Sequence, residues 1–201
     1  MAKITIVNVG YRSTNYWVIS AGRARLLVDL GWPGHMGMMA ANLQRMDVPL
    51  SEIRYALATH YHIDHAGHAQ ELKQAGVPLL VIDLQQAAIP LMKTWTSPQD
   101  NYTDITLYDN VVISTAESRA LLQQIGIDGE ILHTPGHSDD SVSLLLDDGS
   151  VFTGDLTHPS FISVEDPDKV MASWRLLRDR GAKHVYPAHG PLWGMDSLEL
   201  D

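Results

Sequence analysis

The sequence predicts an α+β fold in which two β-sheets pack together and helices cover their outer faces. Two observations lead to this prediction. Short runs of aliphatic and β-branched residues typical of strands recur in both halves of the 201 residues, and amphipathic helical segments are interspersed among them. No linker, repeat or low-complexity segment divides the chain. We therefore expect a single domain over residues 1–201, a length that suits one folded unit.

The first half of the chain alternates predicted strands with predicted helices. Strands are predicted at residues 3–9, 15–20, 25–29, 54–58 and 79–82. Helical spacing of apolar residues predicts helices over about 35–47, 66–75 and 83–93. Gly76 and Pro78 are expected to stop the second of these helices, because glycine and proline commonly follow helix C-termini.

The second half contains more strands, with fewer helices between them. Strands are predicted at residues 129–133, 141–147, 150–153 and 183–186, and helices at 116–125 and from 167 to about 180. Asp166 is a predicted N-cap with Pro167 at the first helical position. Residues 93–108 lack periodicity and are expected to form a surface loop, which either shapes a substrate pocket or merely connects two elements.

Composition excludes several functional classes. The chain has no cysteine, which rules out disulfides, thiolate metal sites and a cysteine nucleophile, so any metal must bind nitrogen and oxygen. A formal net charge of −10 argues against a nucleic-acid partner, because binding to a phosphate backbone depends on Lys and Arg. No signal-like segment and no apolar run of about 20 residues occurs, so we expect a cytoplasmic protein without a membrane partner.

Residues 60–65, His-Tyr-His-Ile-Asp-His, form the densest group of potential metal ligands in the chain. They follow a predicted strand, and in extended backbone residues i and i+2 point the same way, so His60 and His62 can share one ion. Asp64 and His65 follow after the chain begins to turn and can aim at a second ion. A solvated polar loop is the alternative, but so many imidazole and carboxylate groups in six residues favour a metal site.

Later strand ends supply further potential ligands, each beside a glycine or proline that fixes the backbone and permits close approach. They occur in Thr134-Pro135-Gly136-His137-Ser138, in Thr153-Gly154-Asp155 and in Pro187-Ala188-His189-Gly190. Together with the segment at 60–65, these motifs predict a metal centre where several strands end.

The four motifs occur in the order found in the metallo-β-lactamase fold superfamily, which the chain resembles from about residue 15 to residue 190. Leu27-Val28-Asp29-Leu30-Gly31 also resembles the family's early strand-end aspartate. The resemblance implies a four-layer αββα sandwich with a dinuclear metal site at one edge of the two sheets. It assigns the first ion to His60, His62 and His137, the second to Asp64, His65 and His189, and the bridging position to Asp155.

The resemblance implies two divalent cations. Zinc is favoured by the nitrogen and oxygen donor set, with iron or manganese as alternatives. A hydroxide shared by the two cations could attack a substrate, and Asp64 could orient it or pass a proton to the leaving group. Asp29 is expected either to hold a ligand imidazole or to satisfy backbone amides at its strand end. Ser138, next to His137, is a candidate for supporting the ligands.

Two further histidines receive specific predictions. His158, three residues after Asp155, is expected either to reach the pocket and hold a substrate oxygen or to be a plain loop residue. Lactone-cleaving members of the superfamily carry Tyr at a comparable place, so this histidine weakens a direct lactonase analogy. His68 is expected on an exposed face of its helix.

These features predict a metal-dependent hydrolase that acts through a metal-bridging hydroxide on a small ester, thioester or lactone. The alternatives are an iron-dependent persulfide dioxygenase, which shares the fold, and a phosphodiesterase, which the acidic charge disfavours. β-Lactam hydrolysis is disfavoured because those enzymes are usually exported and commonly carry Cys at the position of Asp155. Electron-transfer di-iron members usually carry Glu at the position of His62. Neither the substrate's identity nor the oligomeric state follows from the sequence. Substrate specificity is expected to depend on the loops around residues 10–16, 93–108 and 156–166.

Overall fold

Two β-sheets form the centre of the computed structural model, which describes residues 3–161 and 166–198. The strands of the first sheet are β1 (Ile4–Asn8), β2 (Trp17–Ala21), β3 (Ala24–Val28), β4 (Ile53–Leu57), β5 (Leu79–Ile82) and β6 (Val111–Ile113). They lie side by side in sequence order, antiparallel from β1 to β3 and parallel from β3 to β6. The parallel strands therefore bring their carboxyl ends to one edge of the sheet.

The second sheet has five strands from the later part of the chain. They are β7 (Gly129–His133), β8 (Val142–Leu146), β9 (Ser150–Gly154), β10 (His184–Pro187) and β11 (Trp193–Gly194). Their spatial order is β11-β10-β9-β8-β7. Strands β9 and β10 are parallel, and the other neighbours are antiparallel. The loops that follow β9 and β10 consequently leave the sheet side by side.

Period-two alternation explains why the two sheets pack against each other. In β3, Leu26 and Val28 join the core between the sheets, where they belong to one cluster with Phe152 of β9. Leu27 points to the opposite face and packs in the cluster that holds the outer helices. Because successive strand residues face opposite sides, each sheet presents one apolar face to its partner and one to helices.

Helices cover both outer faces. They are α1 (Met36–Arg45), α2 (Ile63–Ala66), α3 (Ala69–Gln74), α4 (Ser118–Gln124) and α5 (Pro167–Asp179). Met39 of α1 and Leu72 of α3 pack on the first sheet, whereas Trp174 of α5 packs on the second. The Asp166 side chain accepts hydrogen bonds from the backbone N–H groups that follow it, which confirms the predicted N-cap. The fold is thus the four-layer αββα sandwich.

The sequence contains no apolar run long enough to predict a membrane-spanning helix. No helix in the described part of the chain is long and apolar enough to cross a bilayer.

Several predicted element boundaries are wrong for identifiable reasons. The helix predicted over 66–75 is interrupted between α2 and α3 at Gly67, where a Cβ would clash with the carbonyl oxygens of Ile63 and Gly31. The helix predicted over 83–93 is two 3-10 segments, Asp83–Gln85 and Ile89–Trp95. Pro90 lacks a backbone N–H and cannot continue an α-helical ladder from the residues before it.

Two strands are absent from the sequence prediction. Strand β6 has three residues and β11 has two, which is too short for a periodic pattern to be recognised. The segment 93–108, expected to be a loop, contains the end of one 3-10 helix and a further short turn, Pro98–Asp100. Of the pocket loop expected at 156–166, residues 162–165 lie outside the described residues.

Candidate metal centre

The first group of candidate ligands comprises His60, His62 and His137. His60 follows β4, and His62 has extended backbone angles (φ −104°, ψ 164°) directly before α2. Their ring centroids lie 4.5 Å apart, as expected for residues i and i+2 of an extended segment. His137 enters from the loop after β7 and places Nε2 3.0 Å from His62 Nδ1. One nitrogen from each ring lies within 4.8 Å of the others, close enough to share one ion.

The second group comprises Asp64, His65 and His189. Asp64 and His65 lie in α2, and His189 follows β10 of the other sheet. Asp64 Oδ2 is 3.2 Å from His189 Nε2 and 3.5 Å from His65 Nε2. The two candidate groups therefore match the division of ligands that the family resemblance implies.

Asp155 lies between the two groups. Its Oδ2 atom is 3.3 Å from His65 Nε2 and 3.6 Å from His137 Nε2, and its Oδ1 atom is 3.3 Å from His189 Nε2. Gly154 has φ 56°, and a Cβ there would clash with the side chain of Thr59. Glycine thus allows the end of β9 to approach the end of β4, which brings this carboxylate to the centre.

Several buried polar atoms converge here without hydrogen-bond partners. Among the described residues, His60 Nε2, His65 Nε2 and Asp155 Oδ1 have none. Leaving a buried polar atom unpaired costs about 1–3 kcal/mol, and nearly all such atoms in folded proteins are paired. His60, His65 and Asp155 also offer ligand atoms within 4.8 Å of one another. This donor set of nitrogen and oxygen fits divalent cations.

Burial and neighbouring charged groups shift the pKa values of the candidate ligands. Burial and the neighbouring imidazoles hold the pKa of His60 well below its usual range, which favours the neutral form that binds a cation. The Asp64 carboxylate raises the pKa of His189 to about 9. Burial favours the neutral form of Asp64, but His189 and His65 outweigh it and lower the Asp64 pKa to about 2. A cation that binds His189 must therefore displace a proton.

Asp29 supports the deepest ligand. Its Oδ1 atom accepts hydrogen bonds from Thr59 N at 2.8 Å and from Thr59 Oγ1 at 2.9 Å. Its Oδ2 atom lies 3.0 Å from His65 Nδ1. When Nδ1 of the neutral ring donates to this carboxylate, Nε2 is the atom available to a cation. Burial lowers the pKa of His65, but the Asp29 and Asp155 carboxylates outweigh it and hold that pKa well above its usual range, so a cation that binds Nε2 must displace a proton. Asp29 makes both of the contacts that its sequence position suggested, and it does so with a left-handed φ of 62°.

Two sequence expectations about polar residues turn out differently. Ser138 Oγ pairs with Ser141 Oγ at 2.7 Å, and the described residues show no hydrogen bond from it to a ligand imidazole. His68 is fully buried, so its predicted exposure is wrong. That prediction assumed one continuous helix from Ala66, whereas the interruption at Gly67 turns His68 into the core, beside Gly31.

His158 lies at the cleft that the candidate ligands open into. This cleft of about 340 Å³ is lined by His137, Asp155, His158 and His189, among others. The backbone N–H of Ser160 donates to His158 Nδ1 at 3.2 Å, so the neutral ring carries its proton on Nε2. The ring also packs edge-on against Trp193, with the centroids 5.0 Å apart. His158 can thus offer one N–H donor in a defined orientation.

The loop before β2 supplies contacts that sequence reasoning missed. Thr14 Oγ1 donates to Asp64 Oδ2 at 3.1 Å, and His189 Nδ1 lies 2.7 Å from the carbonyl oxygen of Ser13. Asn15 Nδ2 donates to the carbonyl oxygens of Pro187 and Gly190, each at 3.0 Å. The only signal for these roles was their place in the loop at 10–16, which was expected to help determine specificity.

Two residues of the segment after β5 also adjoin the centre. Gln85 is fully buried and its amide nitrogen donates to the carbonyl oxygens of Ala58, Thr59 and Asp140, each at 3.2 Å. The Trp95 ring lies 5.9 Å from the His62 ring and is 64% exposed. Gln85 was obscured because residues 83–93 were predicted as one regular helix rather than two 3-10 segments. Trp95 was obscured because it lies in the segment 93–108, which was expected to be a surface loop.

Comparison with known proteins identifies the family. The family model of the metallo-beta-lactamase superfamily matches residues 9–189. The lactamase-like protein nscB of Trichophyton rubrum is 31% identical over 90% of this chain and 50% of its own length. An atrochrysone carboxyl ACP thioesterase of Aspergillus chevalieri is 30% identical over 89% of this chain and 52% of its own length. The chain thus spans about half the length of these curated relatives.

Solved structures agree on the fold. The BLEG-1 B3 metallo-beta-lactamase superposes with a TM-score of 0.73 at 21% identity, over 96% of this chain and 95% of that one. The protein TTHA1623 in a di-iron-bound form superposes with a TM-score of 0.72 at 24% identity over the same shares. With the αββα layers and the His and Asp cluster described above, the family match leads to one conclusion: the chain belongs to the metallo-β-lactamase superfamily.

Proposed function

We propose that this chain is a metal-dependent hydrolase of a small ester, thioester or lactone, with a thioester as the first candidate. The observation that carries the proposal is the convergence, beside an open cleft, of buried atoms that lack a hydrogen-bond partner: His60 Nε2, His65 Nε2 and Asp155 Oδ1. The last two atoms each lie 3.3 Å from a group of opposite charge. The family match supports a hydrolase. The thioesterase named among the relatives supports the choice of a thioester.

In this proposal the ligands divide between two cations. One is held by His60, His62 and His137, the other by Asp64, His65 and His189, and Asp155 contacts both. Divalent cations bound there would lower the pKa of water and polarise a carbonyl oxygen of the substrate. The nitrogen and oxygen donors favour zinc, and iron or manganese also suit them.

Asp64 is the proposed acid–base group of the chain. Its carboxylate is oriented by the Thr14 hydroxyl and lies 3.2 Å from His189 Nε2. A carboxylate oriented in this way can orient the attacking water and transfer its proton to the leaving group.

His158 is the proposed donor to the substrate. Because Ser160 N occupies Nδ1, the Nε2–H group is available to a carbonyl oxygen in the cleft. Such a donor stabilises negative charge that develops on that oxygen. We expect His158→Ala to lower kcat about 10-fold to 100-fold and to leave the bound metal unchanged. Loss of metal from this variant, measured by elemental analysis, would instead make His158 a ligand.

The test of the whole proposal is a substrate panel on protein loaded separately with zinc, manganese or ferrous iron. The panel comprises an acyl thioester, an aryl ester, a lactone and a bis-aryl phosphodiester, with oxygen uptake measured on a persulfide. We expect metal-dependent cleavage of the thioester or ester, with about two ions bound per chain. Oxygen uptake without hydrolysis would establish a dioxygenase, and cleavage of the phosphodiester alone would establish a phosphodiesterase.

A further inference from the structure

A second cavity, here called the Arg12 pocket, opens close to the metal centre. It has a volume of about 270 Å³, and its walls include Arg12, Trp32, His35 and Asn101. It is separate from the cleft that His158 lines, and nothing in the proposed hydrolytic chemistry uses it. Its lining combines a guanidinium and the side-chain amides of Gln99 and Asn101, which donate hydrogen bonds to oxygen atoms, with one carboxylate, that of Asp100.

Arg12 is held in place by an aromatic ring. Its guanidinium carbon lies 5.2 Å from the centre of the Trp32 ring, a cation–π arrangement that orients the planar group. No ion pair joins it to a carboxylate within residues 3–161 and 166–198. The nearby Asp100 carboxylate already accepts hydrogen bonds from Ser97 N and Ser97 Oγ at 2.7 Å each. Arg12 thus keeps its hydrogen-bond donors for another oxygen-rich group.

Two residues other than glycine that line the pocket have left-handed backbone angles. Arg12 has a φ of 57°, which is unusual for a residue with a long side chain. Asn101 has a φ of 53°. Such conformations persist only where the surrounding structure holds them, and they cluster at ligand sites.

A short chain of hydrogen bonds joins the pocket to the metal centre. Trp32 Nε1 donates to Thr14 Oγ1 at 3.3 Å, and that hydroxyl donates to Asp64 Oδ2 at 3.1 Å. The Trp32 backbone N–H also donates to Tyr11 Oη at 3.1 Å, which fixes the ring that supports Arg12. Arg12 stacks on Trp32, and Thr14 contacts both Trp32 and Asp64, so two side chains link the guanidinium to Asp64.

We propose that Arg12 binds an anionic oxygen group of the substrate, a phosphate or a carboxylate. This group lies at the end of the substrate away from the bond that is cut. This proposal rests on the proposed function and narrows its substrate to an anionic thioester or ester. A guanidinium forms two parallel hydrogen bonds with either oxyanion, which gives both affinity and orientation. Among the described residues no carboxylate lies within ion-pair distance of Arg12, so its guanidinium also favours such substrates over neutral ones.

The experiment compares three acetyl thioesters on the zinc-loaded protein. Acetyl-coenzyme A carries phosphates, S-acetyl-3-mercaptopropionate carries a carboxylate, and S-acetyl-N-acetylcysteamine is neutral. We expect Arg12→Ala to raise KM about 10-fold to 100-fold for one anionic thioester, the change that follows loss of a charge-assisted hydrogen bond. Its kcat, and both constants for the neutral thioester, should stay the same. The anionic substrate that responds identifies phosphate or carboxylate as the group recognised.

Matched variants distinguish the loss of substrate binding by Arg12 from a general effect of charge and from a loss of folding stability. Arg12→Lys keeps the charge but loses the planar stack, so we expect an intermediate KM. Arg12→Gly suits the left-handed backbone and should melt no lower than the parent while it binds as weakly as Arg12→Ala. Arg54→Ala removes an exposed positive charge from β4 and should leave every KM unchanged. Equal effects of Arg12→Ala on neutral and anionic thioesters, or an equal effect of Arg54→Ala, would overturn the proposal.

A direct binding measurement distinguishes failure of the Arg12 proposal from failure of the hydrolase proposal. If no thioester is hydrolysed, calorimetry with desulfo-coenzyme A and with propionate measures how tightly each compound binds to the protein when no reaction occurs. Binding to the parent that Arg12→Ala weakens supports the pocket even though the hydrolase proposal has failed. Binding that is absent from the parent, or equal in the two proteins, overturns the assignment to Arg12.

Discussion

The deep and outer sides of the candidate metal centre are built in different ways. His60 and His65 are at most 1% exposed, and Asp29 and Thr59 hold them at the ends of the central strands of the first sheet. The side chains of His137 and His189, by contrast, are 24% and 41% exposed and lie on loops of the second sheet. The deep side is positioned by the core, and the outer side by hydrogen bonds between loops.

This difference indicates how each side should respond to substitution. The deep imidazole of His60 is desolvated and surrounded by other imidazoles. Its burial is therefore compensated only when a bound cation replaces the hydration that the ring has lost. An outer imidazole keeps part of its water and can adjust when a neighbour is lost. We therefore expect changes on the deep side to affect both ions and changes on the outer side to affect mainly one.

The largest effect is expected from His60→Ala. His60 belongs to two of the candidate ligand groups, one with His62 and His137 and one with His65 and Asp155. Its removal should lower the metal content below one ion per chain and reduce hydrolysis at least about 1000-fold, because the chemistry depends on the metal. Elemental analysis and the thioester assay measure the two quantities on the same sample.

His184→Ala is the matched control, because His184 is an exposed histidine at the start of β10, outside the candidate ligand groups. It should retain metal and activity. Full metal content in His60→Ala would exclude His60 as a ligand, and full activity without metal would refute the metal-dependent mechanism.

Asp29→Asn should have the next largest effect. The substitution replaces the carboxylate oxygen that faces His65 Nδ1 with a weaker acceptor or with an amide donor, while Asn tolerates the left-handed φ of 62°. Loss of such a partner typically costs 10-fold to 100-fold in metal affinity, so we expect about that decrease in a zinc titration. Both ions should bind more weakly, because His65 contacts Asp64 and Asp155.

Asp47→Asn serves as the control for this change. Asp47 also has a left-handed φ, 54°, but lies exposed after α1 and away from the cluster. The zinc affinity of the Asp47→Asn variant should equal that of the parent protein. An unchanged affinity in Asp29→Asn would show that the Asp29 carboxylate only caps the Thr59 backbone.

The deep side was also the more predictable from sequence, because its features are local. His60 and His62 stand two residues apart after a recognisable strand, so alternation alone brings their rings together. The packing of two sheets with helices outside followed from strand and helix patterns that depend on nearby residues, and the family resemblance implied the four-layer sandwich. The buried position of His68 could not be foreseen, because it depends on the close approach of Gly67 to Gly31 in the folded chain.

Contacts on the outer side escaped prediction because they join distant parts of the sequence. Thr14 and Asp64 are 50 residues apart, and Asn15 and Pro187 are 172 apart. No periodic pattern links such pairs, and a single polar residue before a strand has many ordinary explanations. The short strands β6 and β11 were missed for the same reason, since their pairing with neighbours defines them more than their own residues do.

Asn15→Ala should give the smallest effect and tests the outer side directly. The change removes two hydrogen bonds to the backbone on either side of His189 and the one that Asn15 Oδ1 accepts from Asn8 Nδ2 at 2.8 Å, which should cost about 1–2 kcal/mol of folding stability. Because the His189 loop loosens while the deep side is untouched, we expect severalfold weaker binding of one ion and unchanged binding of the other.

Asn110→Ala provides the comparison, since its amide also donates to two backbone carbonyl groups, those of Thr106 and Leu107, far from the cluster. It should lower the melting temperature to a similar degree without any change in zinc binding. Equal weakening of both ions in Asn15→Ala would show that the outer loops position the whole centre. The contrast between a core-built side and a loop-built side would then be wrong, because the His189 loop would be setting the geometry of His60 and His65 as well.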